Sequence, residues 1–401
     1  MKNTTGFNRQ ITQRWRPATQ AVRAGTWRSD FGETSEAIFM TSGFAYDSAE
    51  EVAGRFEGVR PGFTYTRQGN PTVAMFEERM AILEGADIAR ATATGMAAMT
   101  AALLCALKAG DHVVASRALF GSCRWLMDTL LPRYGIATTT VDGRDLDAWR
   151  AAIRPETRMC FLETPANPTL DVVDIAGVSA LAKAAGAFVV VDNVFATPLL
   201  QRPLELGADI VAYSATKHID GQGRAMGGVI CCGQQFHDEH LFPFLRHTGG
   251  ALSPFNAWVL LKGLETLELR LHRMCDNADA VVAALAGRAP GLRFPGLPDF
   301  PQYALAKAQM ARGGTIFCFD LGSRDRAFAF LNALELVDIS NNIGDSRSLA
   351  THPETTTHKA VPPELRAGLG ITPGLIRVSI GLEDPQDLTE DLDRALRAAG
   401  A

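Results

Sequence analysis

The stretch "FVVVDNVFATPLLQRPLELGADIVAYSATK", residues 188–217, decides how this chain is built. Its two apolar runs, "FVVVDN" and "ADIVAY", lack the polar alternation of a half-wet strand. Each reads as a strand buried on both faces, the pattern of a parallel sheet with helices on either side. The first run ends on Asp192 and the second leads to Lys217. Ligands in such sheets sit beyond the carboxyl ends of the strands, so a carboxylate and an amine at two strand ends can meet in one crevice. Two readings of each residue stay open. Lys217 is a solvated charge or a covalent catalyst, and Asp192 is a catalytic carboxylate or a helix N-cap before "ATPLLQ".

Working outward, the alternation repeats. Upstream, "GMAAMTAALLCALKAG", "GSCRWLMDTLLPRYG", "DLDAWRAAI" and "IAGVSALAKAAG" read as helices between the strands "DHVVAS", "ATTTVD" and "TRMCFLET". "PTVAMFEERMAILEG" has helical spacing and a terminal glycine, and "PLELG" is a short helix. Downstream of Lys217, "MGGVICCG" is a further strand. From about residue 255 the pattern changes. One long helical stretch, 253–287, precedes the strands "GTIFCFDLG" and "LIRVSIGLED". These imply an α/β fold with a mostly parallel sheet and a smaller C-terminal α+β domain. The expected division is an N-terminal arm at 1–62, a ligand-binding domain at 63–256 and a C-terminal domain at 257–401. Residues up to about 60 have no strong periodicity and read as an extended arm.

Composition narrows the function. The 401 residues are 47% hydrophobic and carry a formal charge of −5, which gives no basic face for nucleic acid. The N-terminus is polar and arginine-bearing, without the apolar core of a signal peptide. No apolar run reaches the length of a membrane span. Seven cysteines with no C-x-x-C pair, two of them adjacent at 231 and 232, suit neither a disulfide framework nor a zinc site. They read as reduced thiols of a cytoplasmic protein. "HDEH", 237–240, reads as a surface loop without a third metal ligand, and no metal is expected. Gly221, Gly223 and Gly227 give G-x-G-x-x-x-G, one residue too long for a dinucleotide fingerprint.

A lysine and an aspartate at strand ends are what a pyridoxal 5'-phosphate site needs. The amine forms a Schiff base with the aldehyde, and the acid keeps the pyridine nitrogen protonated so that the ring accepts electrons. The phosphate needs backbone N–H groups and hydroxyls. "ATATGMAAMT" offers Gly95 and Met96 at a helix N-terminus, and Ser214 and Thr216 precede the lysine. "YTRQGNPT" adds Tyr65 and Arg67.

Taken in order, "YTRQGNPT", "TPANPT", "VVVDN", "SATKHIDGQGRAMGG" and "IRVSIGLED" resemble the Cys/Met-metabolism family of pyridoxal-phosphate enzymes, from about residue 30 to the end. "LFGS", "LSPFNAWVLLKGLETL" and "NNIGDSRSLATHPETTTH" are most similar to its O-succinylhomoserine sulfhydrylase subgroup. The resemblance implies fold type I of the pyridoxal-phosphate transferases, with a seven-stranded sheet, and a step of methionine biosynthesis. It implies that Lys217 carries the cofactor and moves protons and that Asp192 faces the pyridine nitrogen. Gly95, Met96, Ser214 and Thr216 would hold the phosphate, while Tyr65 and Arg67 would reach that of a neighbouring subunit. The active unit would then be a homo-oligomer with shared sites, a dimer at least and a tetramer by family habit. Asn167 and Arg377 would bind the substrate carboxylate. The chain departs from many members in having Phe120 where a tyrosine covers the ring and Asn342 where serine is common; both fit the sulfhydrylase subgroup. His218 replaces a common tyrosine without an evident reason. Cystathionine γ-synthase, O-acetylhomoserine sulfhydrylase and methionine γ-lyase share this core and remain alternatives. A non-catalytic nucleotide-binding protein would also explain the alternating elements, though not the joint presence of Lys217, Asp192 and Arg377.

Overall fold

A strand that is apolar on both faces must be covered on both. The computed structural model, which describes residues 9–401, shows how that is met. The first eight residues of the expected arm lie outside the described residues. One sheet contains β1 (Ile88–Thr92), β2 (His112–Ser116), β3 (Ala137–Val141), β4 (Thr157–Glu163), β5 (Phe188–Asp192), β6 (Ile210–Ser214) and β7 (Gly228–Cys232). Their spatial order is β1-β7-β6-β5-β4-β2-β3. The five strands from β6 to β3 are parallel, and β7 is antiparallel to both its neighbours. Successive residues enter different cores. Val113 joins Leu103 and Phe161, whereas Val114 joins Trp149 and Leu162; Ile210 and Val211 divide in the same way. This two-sided burial is why the strands read as unbroken apolar runs. The apolar pattern does not reveal β1. It is an edge strand, "IARAT", interrupted by Arg90.

Helix Pro71–Glu84 is set by its ends: the Asn70 side chain accepts from Thr72 N at 2.9 Å, and Gly85 closes it at φ 78°. The expected long helix at 253–287 is broken at Thr266 into Pro254–Glu265 and Leu267–Leu285. The expected boundary at 256/257 falls inside the first of these. Its Ala257, Leu260 and Leu264 pack with Phe76, Met80 and Tyr213 against the large sheet. The second helix runs from that core at Leu267 to the smaller one at Val281 and Leu285.

The smaller sheet holds β8 (Ile316–Asp320), β9 (Asp338–Ile339), β10 (Leu349–Thr351) and β11 (Leu375–Ser379) in the order β8-β11-β10-β9. Helix Pro385–Ala398 covers it, with Leu388, Leu392 and Leu396 against Phe317 and Phe319. The arm is not wholly extended: Pro17–Arg23 and Ala49–Phe56 are helical. Fully buried Arg79 ties it down, donating to Ala24 O at 2.7 Å and to Glu36 Oε1 at 2.9 Å. "HDEH" is helical rather than a loop, and His237 Nδ1 pairs with Asp238 Oδ1 at 2.7 Å. None of the seven cysteines is in a disulfide, and Cys231 and Cys232 face opposite sides of the sheet. Among the described residues no helix is long and apolar enough to cross a membrane.

Candidate active site

The parallel register brings strand ends together. Glu163 of β4 lies beside Asp192 of β5, and Asp192 beside Ala212 of β6. After β6 the chain turns at once, with Asp220 N donating to Ala215 O at 2.9 Å and Gly221 N to Lys217 O at 2.8 Å. That turn aims Lys217 back over the strand ends. Asp192, Lys217, Glu163 and Arg377 line one cavity of about 280 Å³.

The Lys217 amine donates to Asn342 Oδ1. Burial and the Arg377 guanidinium lower its pKa to about 8, against the pull of Asp192. Burial raises Asp192 to about 7, opposed by its bond from Val194 N at 3.1 Å and by Lys217. Asp192 does not cap the following short helix, whose N-cap is Ala196. The Arg377 guanidinium, on β11, donates to Asn167 Oδ1 at 2.8 Å, Asn341 O at 3.0 Å and Asn342 O at 3.1 Å. Its Nε is buried without an acceptor.

Across the cavity lie Gly95 and Met96, at the start of helix Gly95–Leu104. A Cβ at Gly95 would stand 2.5 Å from Ser214 Cβ, so only glycine allows this helix end to meet the end of β6. Thr216 Oγ1 accepts from Gly227 N at 3.1 Å, which ties the lysine turn to the glycine-rich segment. Phe120 and Asn167 also face the cavity. Tyr65 and Arg67 do not line it in their own chain. The Arg67 guanidinium lies 5.6 Å from the centre of the Tyr65 ring and donates to Arg246 O, and Tyr65 is 44% exposed.

Two residues gain an account the sequence did not supply. Glu163 ends β4 as Asp192 ends β5. Its signal was the same, an acid closing an apolar run in "CFLETP". His218 is buried and bonds Thr315 Oγ1 at 2.9 Å, bridging the lysine turn to the C-terminal region. Burial, with Arg270 nearby, lowers its pKa to about 3, so it stays neutral.

An amine whose pKa burial lowers to about 8, an acid at a neighbouring strand end, and hydroxyls and helix N–H groups around a glycine cradle fit a phosphorylated pyridine aldehyde. The family model for Cys/Met metabolism PLP-dependent enzymes matches residues 18–397. The chain belongs to that family. Pyridoxal 5'-phosphate is therefore its cofactor, and the chain is an enzyme rather than a nucleotide-binding scaffold. It is 51% identical over 386 residues to an O-succinylhomoserine sulfhydrylase of Mycobacterium tuberculosis, covering 94% of this chain and 95% of the relative. An O-succinylhomoserine sulfhydrylase of Pseudomonas aeruginosa is 47% identical over 384 residues, covering 95% of each. Among solved structures, the metY protein of Campylobacter jejuni, which carries N'-pyridoxyl-lysine-5'-monophosphate, superposes with a TM-score of 0.92 at 28% identity. The match covers 96% of this chain and all of that one.

Proposed function

We propose that this chain exchanges the succinyloxy group of O-succinylhomoserine for a sulfhydryl, using sulfide and releasing homocysteine and succinate. The observation that carries this reading is the meeting of Lys217, Asp192 and the Asn167–Arg377 pair in one cavity walled by Phe120. The near-50% identity to two O-succinylhomoserine sulfhydrylases supports the choice of ester.

Pyridoxal 5'-phosphate supplies an aldehyde for the substrate amine and a ring that accepts electrons. The chain's residues do the rest. Arg377 and Asn167 hold the α-carboxylate, for which the planar guanidinium suits a two-point grip. Asp192 would hold the ring nitrogen in its protonated form. Gly95, Met96, Ser214 and Thr216 would hold the phosphate. Lys217, its pKa lowered to about 8, is the base that would move the protons at Cα and Cβ, since a γ-substituent leaves only once a Cβ proton is removed. Phe120, on the cavity wall, would stack on the ring but has no proton to give, which leaves Lys217 as the proton carrier. In the net exchange the Cγ–O bond breaks, succinate leaves with its electron pair, and a Cγ–S bond forms.

Tyr65 and Arg67, outside their own cavity, act in the site of a neighbouring subunit, in a dimer at least and in a tetramer by family habit. The seven unbridged cysteines support a cytoplasmic setting. The test measures homocysteine formation from O-succinylhomoserine and O-acetylhomoserine side by side, with sulfide and then cysteine as nucleophile. Homocysteine chiefly from the succinyl ester is expected. Cystathionine from cysteine, or 2-oxobutanoate without a nucleophile, would move the chain to a sister activity. Lys217→Ala should lower turnover by about 10²-fold or more; full turnover in that variant would sink the assignment of Lys217.

A further inference from the structure

Glu163 faces the cavity, is 4% exposed, and has no part in the reaction described above. Its two oxygens are taken by donors from two different loops. Oε2 accepts from Phe120 N at 2.6 Å and Oε1 from Asn167 N at 2.8 Å. Asn167 Oδ1 in turn accepts from the Arg377 guanidinium. One carboxyl group thus fastens the aromatic wall and the guanidinium's partner to the end of a central strand. Asp192 on β5 lies in register beside it, and Arg377, Cys123 and Lys217 line the same cavity. Burying a second carboxyl next to Asp192 is costly, and a group kept in a cleft against such a cost is a candidate for function.

We propose that Glu163 is a positioning residue, holding Phe120 and Asn167 in place and, through Asn167, aligning Arg377 for an α-carboxylate. This rests on the Asn167–Arg377 grip and not on which homoserine ester is used. Glu163→Gln keeps the side chain's size but sets an NH2 group against one of the two N–H donors, and the amide, turning away from that contact, loosens its hold on both Phe120 N and Asn167 N.

The test reads glycine binding to the cofactor-loaded protein from the change in the cofactor absorption band; glycine has no γ-substituent to exchange. Glu163→Gln should weaken glycine roughly 10-fold, the scale of one buried hydrogen bond. Asn167→Ala should weaken it at least as much. The double variant should be within about 2-fold of Asn167→Ala alone, because two changes acting through one contact do not add. The circular dichroism of the bound cofactor should change in Glu163→Gln and not in Asn167→Ala, since only the first frees Phe120. Normal glycine binding by Glu163→Gln, or single effects that multiply in the double variant, would overturn the proposal. Normal binding by Asn167→Ala would show that the grip itself is wrong, and the proposal falls with it. If thermal unfolding shows that Glu163→Gln does not fold, Glu163→Asp, one methylene shorter, enters the same cycle under the same criteria.

Discussion

Replacing Gly95 with alanine sets two effects of opposite sign against each other. Alanine is the better helix former, by at most about 1 kcal/mol. Its Cβ, however, would lie 2.5 Å from Ser214 Cβ, 2.7 Å from Ser214 Oγ and 2.8 Å from Ser214 Cα. Carbon atoms in contact prefer about 3.5–4.0 Å, so the helix end and the end of β6 must part by roughly 1 Å. A backbone atom is among those met, so a side-chain rotation does not relieve the clash. Overpacking typically costs about 1–3 kcal/mol, more than the gain in propensity. The parts forced apart are the proposed phosphate holders, so the loss should fall mainly on the cofactor. Titrating cofactor-free protein with pyridoxal 5'-phosphate, followed by tryptophan fluorescence, should show binding about 10-fold weaker, or worse, at 1.4 kcal/mol per decade. Gly368→Ala is the control. Gly368 ends helix Pro363–Gly368, and a Cβ there meets nothing within 4 Å. It should bind cofactor normally and unfold at the same or a slightly higher temperature. Unchanged cofactor affinity in Gly95→Ala would falsify the view that this close approach builds the phosphate end.

Other outcomes follow from charge and burial. In cofactor-free protein, aldehyde labelling of Lys217 should rise through a midpoint near pH 8; a midpoint at the ordinary lysine value near 10.4 would refute the burial argument. Burial raises Glu84 to about 8, against the hydrogen bond from Tyr213. Its unfolded value is about 4.3, so between the two the folded state holds the extra proton and stability falls as pH rises, by up to about 1.4 kcal/mol per unit. Glu84→Gln should flatten the dependence of Tm on pH between about 5 and 8, and parallel curves would count against the shift. Arg79→Met leaves the buried Glu36 with the Lys262 amine and the Thr26 hydroxyl as partners but without its buried guanidinium. Breaking a buried pair costs about 3–5 kcal/mol, and the remaining lysine points to the lower end. A loss under about 1 kcal/mol in denaturant unfolding would show that Arg79 does not anchor the arm.

The sheet was legible because most of its strands are buried on both faces, as Val113 and Val114 or Ile210 and Val211 illustrate. β1 was not, because an edge strand can carry Arg90. β9 and β10, of two and three residues, are too short for any period to register. The helix break at Thr266 has no proline to announce it, and the nearby Gly263 lies inside the first helix rather than at the break. In the cavity, Lys217 and Asp192 were found by position at strand ends. Glu163 had the same signal but no assigned chemistry. The Asn342–Lys217 contact joins residues 125 apart in the chain, which no local pattern encodes. Tyr65 and Arg67 were legible as types, but a single chain gives them no target in its own cavity.

The place of β7 in the sheet bears on how the protein is made. β1 ends at Thr92, yet the strand it pairs with begins only at Gly228, and that same strand also closes the open side of β6. Until residue 232 has emerged, a nascent chain leaving the ribosome therefore presents two bare strand edges beyond the outer edges of β1 and β3 that remain in the finished sheet. Such edges invite pairing with other chains. The cell's window for misassembly thus closes at one late insertion, and a product truncated before Gly228 should be far more aggregation-prone than one truncated after helix Pro254–Glu265.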